Sequence, residues 1–273
     1  MVPRIHMHIL ASGSKGNAII IEGPEGSVLV DCGISRRSLM GRAAELGVDA
    51  ADIRSLIVTH EHSDHVKGVS VFCNRFDGPM FATAGTVAAR SYLSERDFTL
   101  VGSDDEFVTC GLHVKTFPTS HDVADPMGLR FTWEEDGEEQ DRVVLCTDTG
   151  YVTDRALAEI SNARILAIES NHDERMLATG PYPAYLKQRI AGRGGHLSNA
   201  QAAEACAQLV GEDTEVVVAM HLSQENNRPS VCVRTLAEAL GAEQANSTFT
   251  CAQTPDGRLT ILAAGQDRPL SMY

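Results

Sequence analysis

The chain has 273 residues, 43% of them hydrophobic, enough for a sizeable core in one large domain or two small ones. Its formal net charge of -14 argues against indiscriminate binding to polyanions, and no apolar run approaches the roughly 20 residues that span a bilayer. Met1 to Leu10 lacks the charged-then-apolar pattern of a signal sequence, so the cytoplasm is the expected location, with no membrane association and no obligate protein partner inferred.

Two short strands, Arg4 to Ala11 and Ala18 to Glu22, open the chain, joined by Ser12-Gly13-Ser14-Lys15-Gly16-Asn17. His6 and His8 alternate on the first of them without a partner motif and read as structural. A third strand, Ser27 to Val30, ends in Asp31-Cys32-Gly33; a helix follows, about Ser35 to Leu46. The apolar stretch Ser55-Leu56-Ile57-Val58-Thr59 reads as a buried strand. It leads directly into His60-Glu61-His62-Ser63-Asp64-His65, where four potential metal ligands fall within six residues. Beyond this loop the pattern predicts a helix, about Gly85 to Ser94, strands near Asp105 to Pro118, and the loop Thr119-Ser120-His121-Asp122. A hairpin, Met127 to Trp133 and Arg142 to Thr147, runs into Asp148-Thr149-Gly150, with the acidic stretch Glu134 to Asp141 as its solvated turn. Two later strands, Arg164 to Ile168 and Glu215 to Met220, end at Glu169 and His221.

The run Val28 to Gly33 is echoed weakly by Val144 to Gly150: a strand, an aspartate, then glycine. Each is followed by a helical stretch and another apolar strand that ends in a polar residue. Strands alternating with helices, together with hairpins, favour an α/β sandwich of mixed sheets, with strand-end loops of two similar halves converging on one edge. No linker divides the chain, so residues 1–273 are expected to form a single domain. Seven cysteines, scattered singly and without a CxxC pair, suit reduced thiols; Cys32, beside a candidate site residue, is the one to watch.

Imidazole and carboxylate are the ligands that zinc, manganese and iron use in hydrolytic sites. A binuclear hydrolase needs two ions roughly 3.5–4 Å apart. His60, His62 and His121 are expected to hold the first ion, Asp64, His65 and His221 the second, and Asp148 to bridge; Asp64 also counts among the catalytic residues. His113 and His172 read as structural. Two windows hold bases and no acids: Cys32 to Ala44, with Arg36, Arg37 and Arg42, and Arg175 to Ala203, with Arg175, Lys187, Arg189 and Arg193. Arg189 and Arg193 are the candidate phosphate contacts, and Ser12, Ser14 and Asn17 lie on a loop able to approach a substrate.

Asp31, the HxHxDH run at His60 to His65, His121, Asp148 and His221 together resemble the metallo-β-lactamase superfamily. The resemblance implies a four-layer αββα sandwich of two mixed β-sheets flanked by helices, with Asp31 orienting the metal loop rather than binding metal. Exported dizinc β-lactamases carry cysteine where this chain has Asp148, so the carboxylate is closer to hydrolases of phosphodiesters, thioesters and lactones. Ile168-Glu169-Ser170-Asn171-His172-Asp173, Gly195-His196-Leu197-Ser198-Asn199 and the final His221-Leu222-Ser223 resemble the phosphodiesterase branch that includes ribonuclease Z. That branch implies His196 as general acid and Glu169 as its orienting base. With Leu10 to Ala18 and His221 to Asn227, the motifs are similar to the YycJ/WalJ family, over about Ile9 to Leu240. The family implies a cytoplasmic 5′-to-3′ DNA exonuclease with two divalent ions, zinc or manganese, with iron also compatible. A metal-bridging hydroxide would be its nucleophile. Neither an inserted β-CASP cap nor a long ribonuclease Z arm is present.

Two other readings stand beside this one. The same metal motifs serve a small-substrate hydrolase of a cyclic phosphodiester, a lactone or a thioester, which the negative net charge favours. A metal-binding protein without turnover is opposed by the candidate acid His196, because structural sites close their coordination with four ligands.

Overall fold

The computed structural model describes residues 5–273, so Arg4, at the start of the first expected strand, lies outside the described residues. The strands in chain order are β1 (His6–Ala11), β2 (Ala18–Gly23), β3 (Gly26–Val30), β4 (Ile53–Ile57), β5 (Met80–Ala82), β6 (Phe98–Leu100), β7 (Glu106–Thr109) and β8 (Leu112–Pro118). They continue as β9 (Met127–Glu135), β10 (Glu138–Cys146), β11 (Ile165–Glu169), β12 (Val216–Met220), β13 (Glu243–Gln244), β14 (Cys251–Gln253), β15 (Thr260–Ala263) and β16 (Leu270–Met272). Among the described residues they make two mixed sheets, of seven and nine strands, with helices in the connections. The chain forms two compact units. The first comprises residues up to 118, 123–142 and 266–273; the second comprises 119–122 and 143–265. Among the described residues no helix is long and apolar enough to cross a membrane.

In the first unit the seven-stranded sheet has the order β16-β1-β2-β3-β4-β5-β6. The β1 to β3 neighbours are antiparallel and closed by short turns, whereas β3 to β6 are parallel and need crossovers. The first crossover carries the expected helix, Arg36–Glu45, started by Ser35, whose side chain accepts from the Ser38 amide. One apolar cluster, including Leu10, Ile20, Leu29, Leu39, Leu56, Val66 and Phe72, fixes the parallel strands beneath their C-terminal ends. Val30 and Ile57 are in register, so Asp31 and the segment from Thr59 emerge side by side.

Two local expectations change. The helix foreseen over 85–94 is two short helices, Ala84–Ala88 and Ser91–Ser94. Arg90 between them is extended and donates through Nε to the Glu61 carbonyl at 3.0 Å, a tertiary contact that overrides helix propensity. The acidic stretch is not a long turn either. Only Asp136 and Gly137 turn, both at positive φ (54° and 79°), as a two-residue hairpin loop requires. The flanking glutamates continue the strands and remain exposed, while Asp141 is buried and accepts from the Ile5 amide at 2.7 Å.

In the second unit the end of β10 pairs parallel with β11, β11 with β12, and β12 with β15, while β14 and β13 add antiparallel. These parallel strands point the same way, so Asp148, Glu169 and His221 lie at or just past neighbouring C-terminal ends. Open α/β sheets gather ligands at such ends. The helix after the His196 loop, Asn199–Leu209, begins with a reciprocal capping box between Ser198 and Gln201. All seven cysteines are free thiols; burial pushes Cys32, Cys206 and Cys232 up to about 12, which removes Cys32 as a reactive group.

Candidate metal centre

In the first unit a buried carboxylate organises the ligand loop. Asp31 adopts a left-handed backbone (φ 57°) at the end of β3. Its Oδ1 accepts from the Thr59 amide at 2.8 Å; its Oδ2 accepts from the Thr59 hydroxyl at 2.8 Å and from His65 Nδ1 at 2.7 Å. Thr59 Oγ1 in turn lies 3.1 Å from His60 Nδ1. Because that hydroxyl gives its proton to Asp31, it accepts from His60. Both imidazoles are therefore held through Nδ1–H, with the lone pair on Nε2. The rings of His60 and His65 sit 4.0 Å apart, and those of His60 and His62 5.0 Å apart. Asp64 and His65 ride on the one-turn helix Ser63–Val66.

Backbone contacts close this loop around a glycine. The Asn17 amide donates to the Asp64 carbonyl at 2.7 Å, and the Gly33 amide to the Asn17 carbonyl at 2.8 Å. A Cβ on Gly33 would overlap the Asp64 carbonyl. The Asn17 side chain reaches His65 Nε2 at 2.9 Å and Asp64 Oδ2 at 3.4 Å. Glu61, unremarked in the sequence, is buried and accepts from the Ala124 amide at 2.8 Å, tying the loop to 123–125.

A second carboxylate plays the matching part in the second unit. Glu169, fully buried at the end of β11, accepts through Oε2 from the amides of Thr149 (2.8 Å) and Leu197 (3.3 Å). Its Oε1 accepts from His196 Nδ1 at 2.7 Å and His221 Nδ1 at 2.9 Å. Burial by itself would raise this carboxyl's pKa. The His196 charge and the hydrogen bonds from both imidazoles outweigh burial and hold it well below the ordinary range, so it is ionised. Asp148 and His221 both have left-handed backbones (φ 55°), sparsely populated for non-glycine residues. Asp148 Oδ1 lies 3.4 Å from His221 Nδ1, 3.8 Å from His121 Nε2 and 3.9 Å from His196 Nδ1. His121 is anchored by Nδ1 to the Gly195 carbonyl at 3.0 Å.

The donors fit divalent metal. His60, His121 and His221 each have Nδ1 committed to an oxygen, the arrangement that presents Nε2 to an ion and fixes its direction; His65 has the same Nδ1 support, with the Asn17 amide group at its Nε2. Each unit pairs borderline nitrogen donors with a carboxylate, Asp64 in the first and Asp148 in the second, a mixture suited to zinc, manganese or iron. Ligating atoms of Asp148, Glu169, His196 and His221 lie within 4.8 Å of one another; Glu169 is already saturated by four donors and serves there as the orienting group.

A family model described as a β-lactamase superfamily domain matches residues 27–222. The chain belongs to this superfamily. Within it, the chain is 36% identical over 242 residues to the exodeoxyribonuclease YycJ of Bacillus anthracis, covering 86% of this chain and 89% of that protein. It is 35% identical over 240 residues to the exodeoxyribonuclease WalJ of Streptococcus pneumoniae, covering 85% and 87%. The chain therefore belongs to the YycJ/WalJ family. In fold it matches Zn(2+)-bound PqqB from Methylobacterium extorquens, with a TM-score of 0.67 at 15% identity over 98% of this chain and 99% of that one. The chain is thus a metal-dependent hydrolase with the metallo-β-lactamase fold.

The residues expected to contact substrate differ in exposure and in partners. Arg189 does have an acid beside it: its Nε and Nη2 form a bidentate pair with Asp122, at 2.5 and 3.0 Å. The partner is 67 residues away in sequence, outside the acid-free window that holds Arg189. Asn17 and Ser12 are buried, and Asn17 builds the ligand loop; of the Ser12, Ser14 and Asn17 trio only Ser14 is exposed. Arg193 is exposed, its guanidinium lying 3.9 Å from the centre of the Tyr151 ring.

Proposed function

We propose that the whole chain acts as one catalytic domain, a binuclear metal-dependent exonuclease that removes nucleotides from DNA in the 5′-to-3′ direction. His60, His62 and His121 would hold one ion, Asp64, His65 and His221 the other, with Asp148 shared. Zinc or manganese suits these donors, and iron is also compatible. When bound, the ions supply Lewis acidity and activate water for in-line attack on phosphorus. The observation that carries a phosphodiesterase is the His196–Glu169 pair, 2.7 Å apart. Glu169 holds Nδ1–H, which leaves Nε2 of the imidazolium to give its proton to the departing oxygen. A sugar alkoxide is a strong base and needs that proton; a thiolate leaves without it. DNA as substrate is supported by the names of the YycJ and WalJ relatives.

Metal-stripped protein given manganese or zinc separately, with end-labelled linear duplex DNA, tests the reading, a His60→Ala/His62→Ala variant being the contamination control. Stepwise release of nucleotides from the 5′ end, absent in the variant, is the expected result. No cleavage with two ions bound would transfer the proposal to a small ester or thioester.

Arg193 is the better remaining phosphate contact, since Arg189 is neutralised by Asp122. Arg193→Ala is expected to weaken DNA binding at all sequences alike and to reduce the slope of log affinity against log salt by about 0.7–0.9, one phosphate's worth. Binding measured between low and moderate salt checks this; an unchanged slope would remove Arg193 from the interface.

A further inference from the structure

A second set of ligating side chains lies on the first two strands. His6 and His8 sit two residues apart on β1 and so share one face. Glu22, on β2, is directly opposite His6 in the strand register. Its Oε2 is 2.9 Å from His6 Nδ1 and 3.3 Å from His8 Nε2, and the three donors lie within 4.8 Å of one another. His8 comes from the sheet interior, its side chain only 2% exposed. Its Nδ1 meets the Ser271 hydroxyl on β16 at 2.7 Å, while its buried Nε2 faces Glu22 and makes no hydrogen bond. The Tyr273 ring packs against both imidazoles in T-shaped arrangements, with centroids 5.1 and 5.9 Å away.

We propose that His6, His8 and Glu22 form an additional site for a borderline divalent transition metal, zinc in the first instance, that joins β1 to β2 and, through Ser271, to β16. Tetrahedral zinc with bonds of about 2.0–2.1 Å separates its donors by roughly 3.3 Å, and the observed spacings sit at that value or slightly below it. The ion replaces the proton shared by His6 Nδ1 and Glu22 Oε2, lying off the line that joins them; that proton is released or moves to Nε2 of the ring. Ser271 holds the far nitrogen of His8, the same outer support seen for the histidines of the hydrolytic centre. Burial lowers the pKa of His8, against the influence of Glu22, and so favours the neutral ligand form. His6 and Glu22 are each about a third exposed, which gives an ion a way in, and water completes the coordination.

The test is zinc stoichiometry and thermal unfolding on the full chain, using zinc alone as probe. The unsubstituted protein is compared with Glu22→Gln, which preserves shape, and with His6→Ala/His8→Ala. Metal-stripped samples are dialysed against the same free zinc and their bound zinc is counted. Each variant is expected to bind one ion fewer per chain and to keep its DNA hydrolysis unchanged. Titrating zinc beyond the level that fills the hydrolytic centre should raise the unfolding midpoint of the unsubstituted protein by about 5–10 °C at a hundredfold excess over Kd, and leave Glu22→Gln unmoved. Cobalt substitution should show one set of d–d bands lost in Glu22→Gln. Equal zinc counts and equal zinc-dependent midpoints in the unsubstituted protein and folded Glu22→Gln would overturn the site. His6→Ala/His8→Ala carries the count only if it unfolds cooperatively before zinc is added.

Discussion

Replacing His196 with alanine is expected to leave the metal content unchanged and to slow hydrolysis of DNA by about 100- to 10,000-fold, the usual contribution of a positioned general acid. The expectation rests on geometry. His196 Nδ1 is held by Glu169 at 2.7 Å, and its side chain is 18% exposed against 1% for His121 and 4% for His221, which leaves its ring open to a leaving group. The discriminating measurement pairs DNA with a p-nitrophenyl phosphodiester, whose leaving group needs no proton. His196→Ala should lose far less activity on the activated ester than on DNA. Equal losses on both would make His196 a structural residue. Glu169→Gln should behave differently again. It disturbs His196 and the His221 contact at 2.9 Å together, so metal affinity should fall along with turnover.

Asp31→Ala should produce the second large effect, in stability and metal affinity at once. The substitution strands three buried donors: the Thr59 amide, the Thr59 hydroxyl and His65 Nδ1–H. Each buried donor without an acceptor costs about 1–3 kcal/mol. The left-handed backbone at φ 57° adds about 1–2 kcal/mol for alanine. Metal affinity should fall about 10- to 100-fold, because His65 loses its support directly and His60 through Thr59. Asp31→Asn tolerates the same backbone and keeps one acceptor, so it should lie between. Thermal unfolding of the metal-free proteins and zinc titrations measure the two effects separately. Unfolding and affinity like those of the unsubstituted chain in Asp31→Ala would show that the ligand loop stands without it.

Much of this architecture is legible in the sequence because it is locally encoded. Apolar runs of strand length end in polar residues at Asp31, His60, Asp148, Glu169 and His221, and the parallel registers bring those ends level within each unit. The helix boundaries at Ser35 and Leu46 follow from a serine cap and are read to within one residue. Where local chemistry competes with packing, reading fails. The acidic hairpin looks like a turn by composition, yet Asp136 and Gly137 suffice to reverse the chain. Arg90 interrupts an otherwise continuous helical pattern, and its side chain donates to the Glu61 carbonyl instead.

The sequence alone determined the family and marked the candidate ligands, since HxHxDH is compact and the other candidates each follow a recognisable strand. It also marked His196 and Glu169 through short motifs. Only the tertiary structure decided which groups support those ligands. Glu169 serves two histidines, Asn17 turns inward to Asp64 and His65, Asp122 neutralises Arg189, and Glu22 meets His6 and His8. The physical reason is the same in each case. A hydrogen-bond partner is chosen by strand register and by the packing of distant loops, and neither is contained in the local periodicity that a sequence displays.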